Sequence, residues 1–220
     1  MTADSSAAPG KVVSKNAQIA EENRRFFRGK GLFVLNLIGS PGCGKTSLLE
    51  KTLERVAPRA AVVEGDIKTT LDADRIRRTG AQATQIETGG ACHLDAAMVA
   101  RAIQGLNLDA VEFLFIENVG NLVCPSSVDL GEDMKVAIIS VPEGDEKPAK
   151  YPALFVRASA VVINKIDLLP YVDYSVARAA GDCRKLNPNV EVFELSSKTG
   201  AGVDAWVSFL ERHALSARPR

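Results

Sequence analysis

The chain has 220 residues, 46% apolar and 25% charged, which suits one folded domain with a full core. Basic and acidic residues number 27 each, so no global field draws the chain to nucleic acid or to an anionic membrane. No apolar run approaches the roughly 18 residues of a membrane span, and Met1–Ser6 lacks the basic and apolar regions of a secretory leader. Cys43, Cys92, Cys124 and Cys183 are too few and scattered for a disulfide scaffold, so a reducing, cytoplasmic setting is expected.

Residues 1–15 read as a flexible tail rich in Ala, Ser and Lys, and residues 16–30 as an N-terminal helix (Asn16–Arg28) closed by Gly29 and Gly31. Residues 31–215 form one domain of alternating units. Leu32–Ile38 is a buried strand interrupted by Asn36, and a glycine loop leads from it to a helix over Lys45–Val56. Ala60–Val63 is a second strand, ending at Gly65-Asp66, and Asp72–Thr79 a short helix. Ala83–Ile86 is a third strand, followed by Gly89-Gly90 and a helix over Leu94–Gln104. Val111–Ile116, Val136–Val141 and Ala160–Ile163 are apolar strands. Helices over Asp173–Lys185 and Val203–His213 flank a strand at Val190–Leu195. The fold class is therefore α/β, a mostly parallel sheet with helices on both faces, which places ligands beyond the carboxyl ends of the strands.

Gly39-Ser40-Pro41-Gly42-Cys43-Gly44-Lys45-Thr46 matches G-x-x-x-x-G-K-[ST] between a strand and a helix, the context of a phosphate-binding loop. Its glycines let backbone N–H groups converge on phosphate, and the helix N-terminus adds partial positive charge. Lys45 is expected to reach the terminal phosphates, Thr46 to hold Mg²⁺, and Ser47 to complete the cradle. Asn164-Lys165-Ile166-Asp167 has the N-K-x-D form. A carboxylate at Asp167 accepts both guanine N1–H and N2–H, which adenine does not offer. Asn164 would tie this loop to the phosphate loop, the Lys165 stem would cover the base, and Ser196-Ser197-Lys198 would present a backbone N–H to guanine O6. The nucleotide is read as GTP.

After Val111–Ile116 the chain reads Glu117-Asn118-Val119-Gly120. Glu117 is expected to hold Mg²⁺ through a water and the Gly120 N–H to sense the γ-phosphate. Asp66 is a Mg²⁺ or water-orienting carboxylate, and Asp72 a weaker one, since Asp at a helix start is commonly a cap. Lys45, Thr46, Asp66, Glu117 and Gly120 are thus the expected hydrolytic set. No Gln follows Gly120 to orient a water, which suggests slow turnover.

Cys92-His93 precedes a helix, and Cys124 lies four residues beyond Gly120. Thiolate and imidazole suit Ni²⁺ and Zn²⁺, and three ligands leave a position open for transfer. The residues alone are equally compatible with a buried Cys beside a capping His. Cys43 and Cys183 read as structural, and His213 as a surface residue.

Glu64-Gly65-Asp66, Asp72–Ile76, Glu87–Asp95 and Glu117–Pro125 resemble the nickel-incorporation GTPases of nickel–iron hydrogenase maturation, the HypB family. The likeness spans roughly residues 16–213. It implies a G domain of the SIMIBI class that dimerises with GTP, and a Ni²⁺ or Zn²⁺ site of Cys92, His93 and Cys124 at the dimer interface. It further implies nickel delivery, with a HypA-type metallochaperone and the hydrogenase large subunit as partners. The related urease-maturation GTPases place Pro between Cys and His, whereas Cys92 and His93 are adjacent. Many members carry an N-terminal Cys- or His-rich nickel motif, and residues 1–30 here contain neither residue. By the same resemblance Lys150 approaches the partner subunit's nucleotide. Two other readings stand beside nickel delivery: a regulatory GTPase with no metal role, and a metal-storage protein whose nucleotide serves only assembly.

Overall fold

The computed structural model describes residues 14–66 and 75–217. Helix α1 (Lys15–Gly29) opens on Ser14, whose hydroxyl accepts from the Ala17 N–H at 3.2 Å. Then follow β1 (Phe33–Gly39), α2 (Lys45–Val56), β2 (Ala60–Asp66), β3 (Gln82–Glu87), α3 (Ala96–Ala102), β4 (Phe113–Glu117) and β5 (Met134–Ser140). Two single-turn helices, α4 (Lys147–Lys150) and α5 (Pro152–Phe155), precede β6 (Ala160–Asn164). The chain continues through α6 (Val176–Leu186), β7 (Glu191–Glu194) and α7 (Val203–Ala217). All pairings are parallel, in the order β3-β2-β4-β1-β5-β6-β7. This is the α/β architecture the strand pattern predicted.

Alternation along each strand divides the core between the two faces of the sheet. Leu35, Leu37 and Phe115 pack with Leu49 and Leu53 of α2 and Trp206 of α7 on one face. The indole N–H of Trp206 is satisfied by the Thr52 hydroxyl at 3.0 Å. On the other face Val34 and Leu114 meet Phe27 of α1 and Val99 of α3. Ile139 and Val161 meet Leu154 of α5 and Ala179 of α6. Asn36 does not interrupt β1. It is fully buried there because its carboxamide is bonded at both ends, to Asn118 and Glu132.

The differences from expectation are local. The strand predicted from Val111 begins at Phe113, because the Val111 N–H turns back to the Leu108 carbonyl. The helix predicted over Leu94–Gln104 starts at Ala96, capped by Asp95, and tightens to a 3₁₀ turn at Ile103–Gly105. Of the segment read as a helix over Asp72–Thr79, residues 75–77 are helical and Asp72 lies outside the described residues. His213 is a packing residue rather than a surface one, with its ring 4.5 Å from that of Phe209 and 6.0 Å from that of Phe33. Lys150 is exposed and pairs with Glu146 at 2.6 Å.

Helix α1 is fixed to the start of α3 and to the loop before β5 by side-chain amides. Asn16 and Asn23 bond the backbone of Ala96, Asp129 and Leu130, and Arg24 Nη2 donates to both carboxylate oxygens of Asp129, at 2.8 and 2.9 Å. The contact requires Gly131, whose φ is +91° and where a Cβ would lie 2.6 Å from the Ala20 carbonyl oxygen. Gly131→Ala is expected to cost about 1–3 kcal/mol. In calorimetry that lowers Tm by roughly 2–4 °C per kcal/mol for a chain of this size.

Candidate functional site

The phosphate loop leaves β1 at Gly39 and enters α2 at Lys45. Gly44 adopts φ +96°, and a Cβ there would fall 2.5 Å from Asn164 Nδ2. Lys45 is folded back, donating to the carbonyls of Gly39 at 3.2 Å and Ser40 at 3.3 Å. Those two oxygens satisfy a mostly buried ammonium. The Thr46 hydroxyl donates to Glu117 Oε1 at 3.0 Å, joining the first turn of α2 to the end of β4. Gly120 lies against the loop from the other side, where a Cβ would sit 2.9 Å from Pro41 Cγ. Pro41, Lys45, Thr46, Glu64, Glu117 and Gly120 bound a cleft of about 290 Å³.

A larger cleft, about 780 Å³, continues along α2 past Gly44, Ser47, Asn164, Lys165, Asp167 and Ser197. Lys198 also lines it. The loops that shape it are joined through Asn164. Its Nδ2 donates to the Cys43 carbonyl at 3.1 Å, and its Oδ1 accepts from the Ser197 N–H at 3.1 Å and the Ser197 hydroxyl at 3.0 Å. Lys165, in the left-handed region at φ +63°, sends its ammonium to the Gly42 carbonyl at 2.6 Å. The Ser196 hydroxyl donates to Asp167 Oδ1 at 2.6 Å, which fixes the carboxylate's orientation. The predicted nucleotide residues therefore gather into two adjoining clefts at the carboxyl ends of β1, β4 and β6. Asp66 ends β2, in register with Glu87 of β3.

Sequence reading named Glu64 only as part of the Glu64-Gly65-Asp66 stretch and gave it no role. It is buried, lines the phosphate cleft and stands in register beside Glu117 on the neighbouring strand. The available signal was a carboxylate near the carboxyl end of an apolar strand. The other omission is the buried chain of Asn118, Asn36 and Glu132 beneath the site, which depends on strands distant in sequence.

Cys92 and His93 lie between β3 and α3, and Cys124 opens a 3₁₀ turn at Cys124–Ser127. Their ligand atoms all fall within 4.8 Å of one another, and Cys92 Sγ is 3.5 Å from His93 Nδ1. A shared ion about 2.0–2.3 Å from each atom needs ligand separations of roughly 3.3–3.8 Å. Small side-chain rotations close the remainder. The alternative of a buried Cys beside a capping His does not fit, because Cys92 is exposed and Asp95 caps α3, accepting from the Met98 N–H at 2.7 Å. The facing Cys124 thiol, ahead of slight burial, holds the Cys92 pKa above its ordinary value. A metal captured there would displace protons, so its affinity should rise with pH. Cys43 and Cys183 are different: burial pushes their thiols up to about 11 and about 12, leaving them protonated packing groups.

Residues 33–194 match the family described as the CobW/HypB/UreG nucleotide-binding domain. Hydrogenase maturation factor HypB of Escherichia coli K12 is 50% identical over 202 residues, 91% of this chain and 70% of that protein. The crystal structure of HypB from Helicobacter pylori in complex with nickel superposes with a TM-score of 0.89 at 42% identity, covering 94% of this chain and 98% of that one. HypB from Archaeoglobus fulgidus gives a TM-score of 0.86 at 38% identity, covering 92% and 100%.

Proposed function

Because the chain belongs to the HypB branch of the CobW/HypB/UreG family, we propose that it is a GTP-hydrolysing metallochaperone that binds nickel and releases it under nucleotide control for hydrogenase maturation. One observation carries this reading. Cys92, His93 and Cys124 converge within 4.8 Å, and Cys124 stands four residues beyond Gly120, which rests on Pro41 of the phosphate loop. A contact that senses phosphate and a ligand that holds metal are thus parts of one short segment.

The residues present fit Mg²⁺. The Thr46 hydroxyl and Glu117 carboxylate are already joined at 3.0 Å in the phosphate cleft, two hard oxygen donors beside the loop that would hold GTP. When bound, Mg²⁺ neutralises charge on the phosphate oxygens. Lys45 leaves the Gly39 and Ser40 carbonyls for the terminal phosphates, the Gly120 N–H donates to the γ-phosphate, and Asp66 orients the attacking water. Water adds to the γ-phosphorus as the bond to the β-phosphate oxygen breaks, giving GDP and phosphate. The GTP form favours a homodimer meeting at the metal face. Hydrolysis then loosens the Gly120 contact and hands nickel from Cys124 to an acceptor, a HypA-type metallochaperone or the hydrogenase large subunit.

The test is nickel affinity measured with GDP and with a non-hydrolysable GTP analogue. Allosteric coupling of this kind is commonly worth about 1–3 kcal/mol, a ratio of roughly 5 to 150. Equal affinities together with equal dimerisation reject the gate. Guanine selection is tested separately. Asp167→Asn removes one of two charge-assisted hydrogen bonds, so GTP affinity should fall by about 1.5–3 kcal/mol, roughly 10- to 150-fold. Titration with a fluorescent guanine nucleotide measures it.

A further inference from the structure

The metal loop and the phosphate-sensing segment share more than chain proximity. Asn118, between Glu117 and Gly120, is 1% exposed. Its Oδ1 accepts two backbone hydrogen bonds, from Leu94 N–H at 3.1 Å and from Val119 N–H at 3.0 Å. Leu94 directly follows His93, and Val119 directly precedes Gly120. A single oxygen therefore holds the peptide next to a metal ligand and the peptide next to the phosphate sensor.

The other end of the carboxamide is fixed as well. Asn118 Nδ2 donates to Asn36 Oδ1 at 3.1 Å, Asn36 Nδ2 donates to Glu132 Oε1 at 3.2 Å, and Glu132 Oε2 accepts from the Leu130 N–H at 2.7 Å. Lys135 completes the chain as the cationic partner of Glu132. The Asn118 backbone N–H is committed to the Leu37 carbonyl at 3.0 Å. With Asn36 fully buried and Glu132 nearly so, a carboxamide flip would set acceptor against acceptor and strand buried polar atoms. The orientation is thus imposed from behind, through β1, and what remains adjustable is the pair of backbone groups in front.

Packing in the same place leaves little slack. A Cβ on Gly65, near the end of β2, would lie 2.8 Å from Leu94, so the Leu94 side chain closes directly over the strand that borders the phosphate cleft. Asn121 Nδ2 also reaches across, donating to the Cys92 carbonyl at 3.5 Å from an exposed position, where such a bond contributes little.

We propose that Asn118 is the positioning residue that carries the nucleotide state to the metal loop, because its Oδ1 is shared by Val119 and Leu94. When Gly120 moves toward a γ-phosphate, the Val119 N–H changes its demand on that oxygen, and the bond to Leu94 strengthens or weakens in response. The Cys92–His93 backbone follows. The inference rests on the gated-chaperone reading, and it names the atom through which the gate acts on the Cys92–His93 side rather than on Cys124.

The experiment compares wild type with Asn118→Ala in the full chain. Nickel affinity is measured with GDP and with a GTP analogue, and exchange of the Leu94 amide is followed by hydrogen exchange or NMR. A merely structural defect weakens both nucleotide states alike, so the ratio of the two affinities is the informative readout. The expected result is a wild-type ratio of about 5 or more that falls to within about twofold of unity in Asn118→Ala. Leu94 exchange should depend on nucleotide in the wild type only. An unchanged ratio in Asn118→Ala overturns the relay and leaves the gate standing. A wild-type ratio of one rejects the gate, and the relay falls with it. If Asn118→Ala does not fold, the wild-type exchange decides: Leu94 protection identical in the two nucleotide states overturns the proposal.

Discussion

Lys45→Ala is expected to lower GTP turnover by about 10²–10³-fold, the usual effect of removing one preorganised group that stabilises developing charge. The ammonium sits 3.2 Å from the Gly39 carbonyl at the floor of the phosphate cleft, and no other lysine or arginine bounds that cleft among the described residues. Phosphate release under single-turnover conditions measures the loss. Circular dichroism and thermal melting should accompany it, because the substitution frees the carbonyl of buried Gly39 at the end of β1 as well as that of Ser40. The same variant separates two readings of the protein. If it loses turnover yet supports full hydrogenase maturation in a complementation assay, the nucleotide serves assembly alone and the chain is a storage protein.

Cys124→Ala removes one of the three converging side chains proposed to hold nickel. Loss of a partner that only orients a ligand commonly costs 10–100-fold in metal affinity, so loss of a ligand itself should cost on the order of 10²-fold or more. Equilibrium dialysis with Ni²⁺ and with Zn²⁺ checks this. The loop geometry predicts little collateral damage, since Cys124 is half-exposed and the turn it opens is held by backbone bonds, such as the Ser126 N–H to the Val123 carbonyl at 3.2 Å. Unchanged metal stoichiometry would return Cys92, His93 and Cys124 to structural roles and favour a regulatory GTPase without cargo.

Much of this arrangement was legible in the residues themselves. Phe33 to Ile38, Val136 to Ile139 and Ala160 to Ile163 are continuous or nearly continuous apolar runs, the signature of strands covered on both faces. Gly44 could be read as obligatory from the loop pattern, and Asn164 bonds Cys43 as the motif implies. Cys92, His93 and Cys124 could be grouped as candidate ligands on residue type, but 32 positions separate the two cysteines and no local rule brings them together, so the residues alone left a structural role equally open. Asn36 shows the limit best. As a lone polar residue in an apolar run it looked like an interruption, and only the register of β1 beside β4 reveals Asn118 as its partner. The single-turn helices α4 and α5 carry prolines and little periodicity, so propensity gave no reason to expect them.

The bonds of Asn164 have a kinetic consequence. The proposed base-recognition loops are latched to each other and to the phosphate loop by the chain's own bonds, through Asn164, Lys165 and Ser197. A guanine ring bound there would meet loops whose mutual geometry those bonds already set, so little reorganisation is expected at that end of the cleft. In stopped-flow mixing, the observed rate should climb linearly with nucleotide concentration instead of levelling at a conformational ceiling. Cutting the latch with Asn164→Ala should bend that line into a plateau.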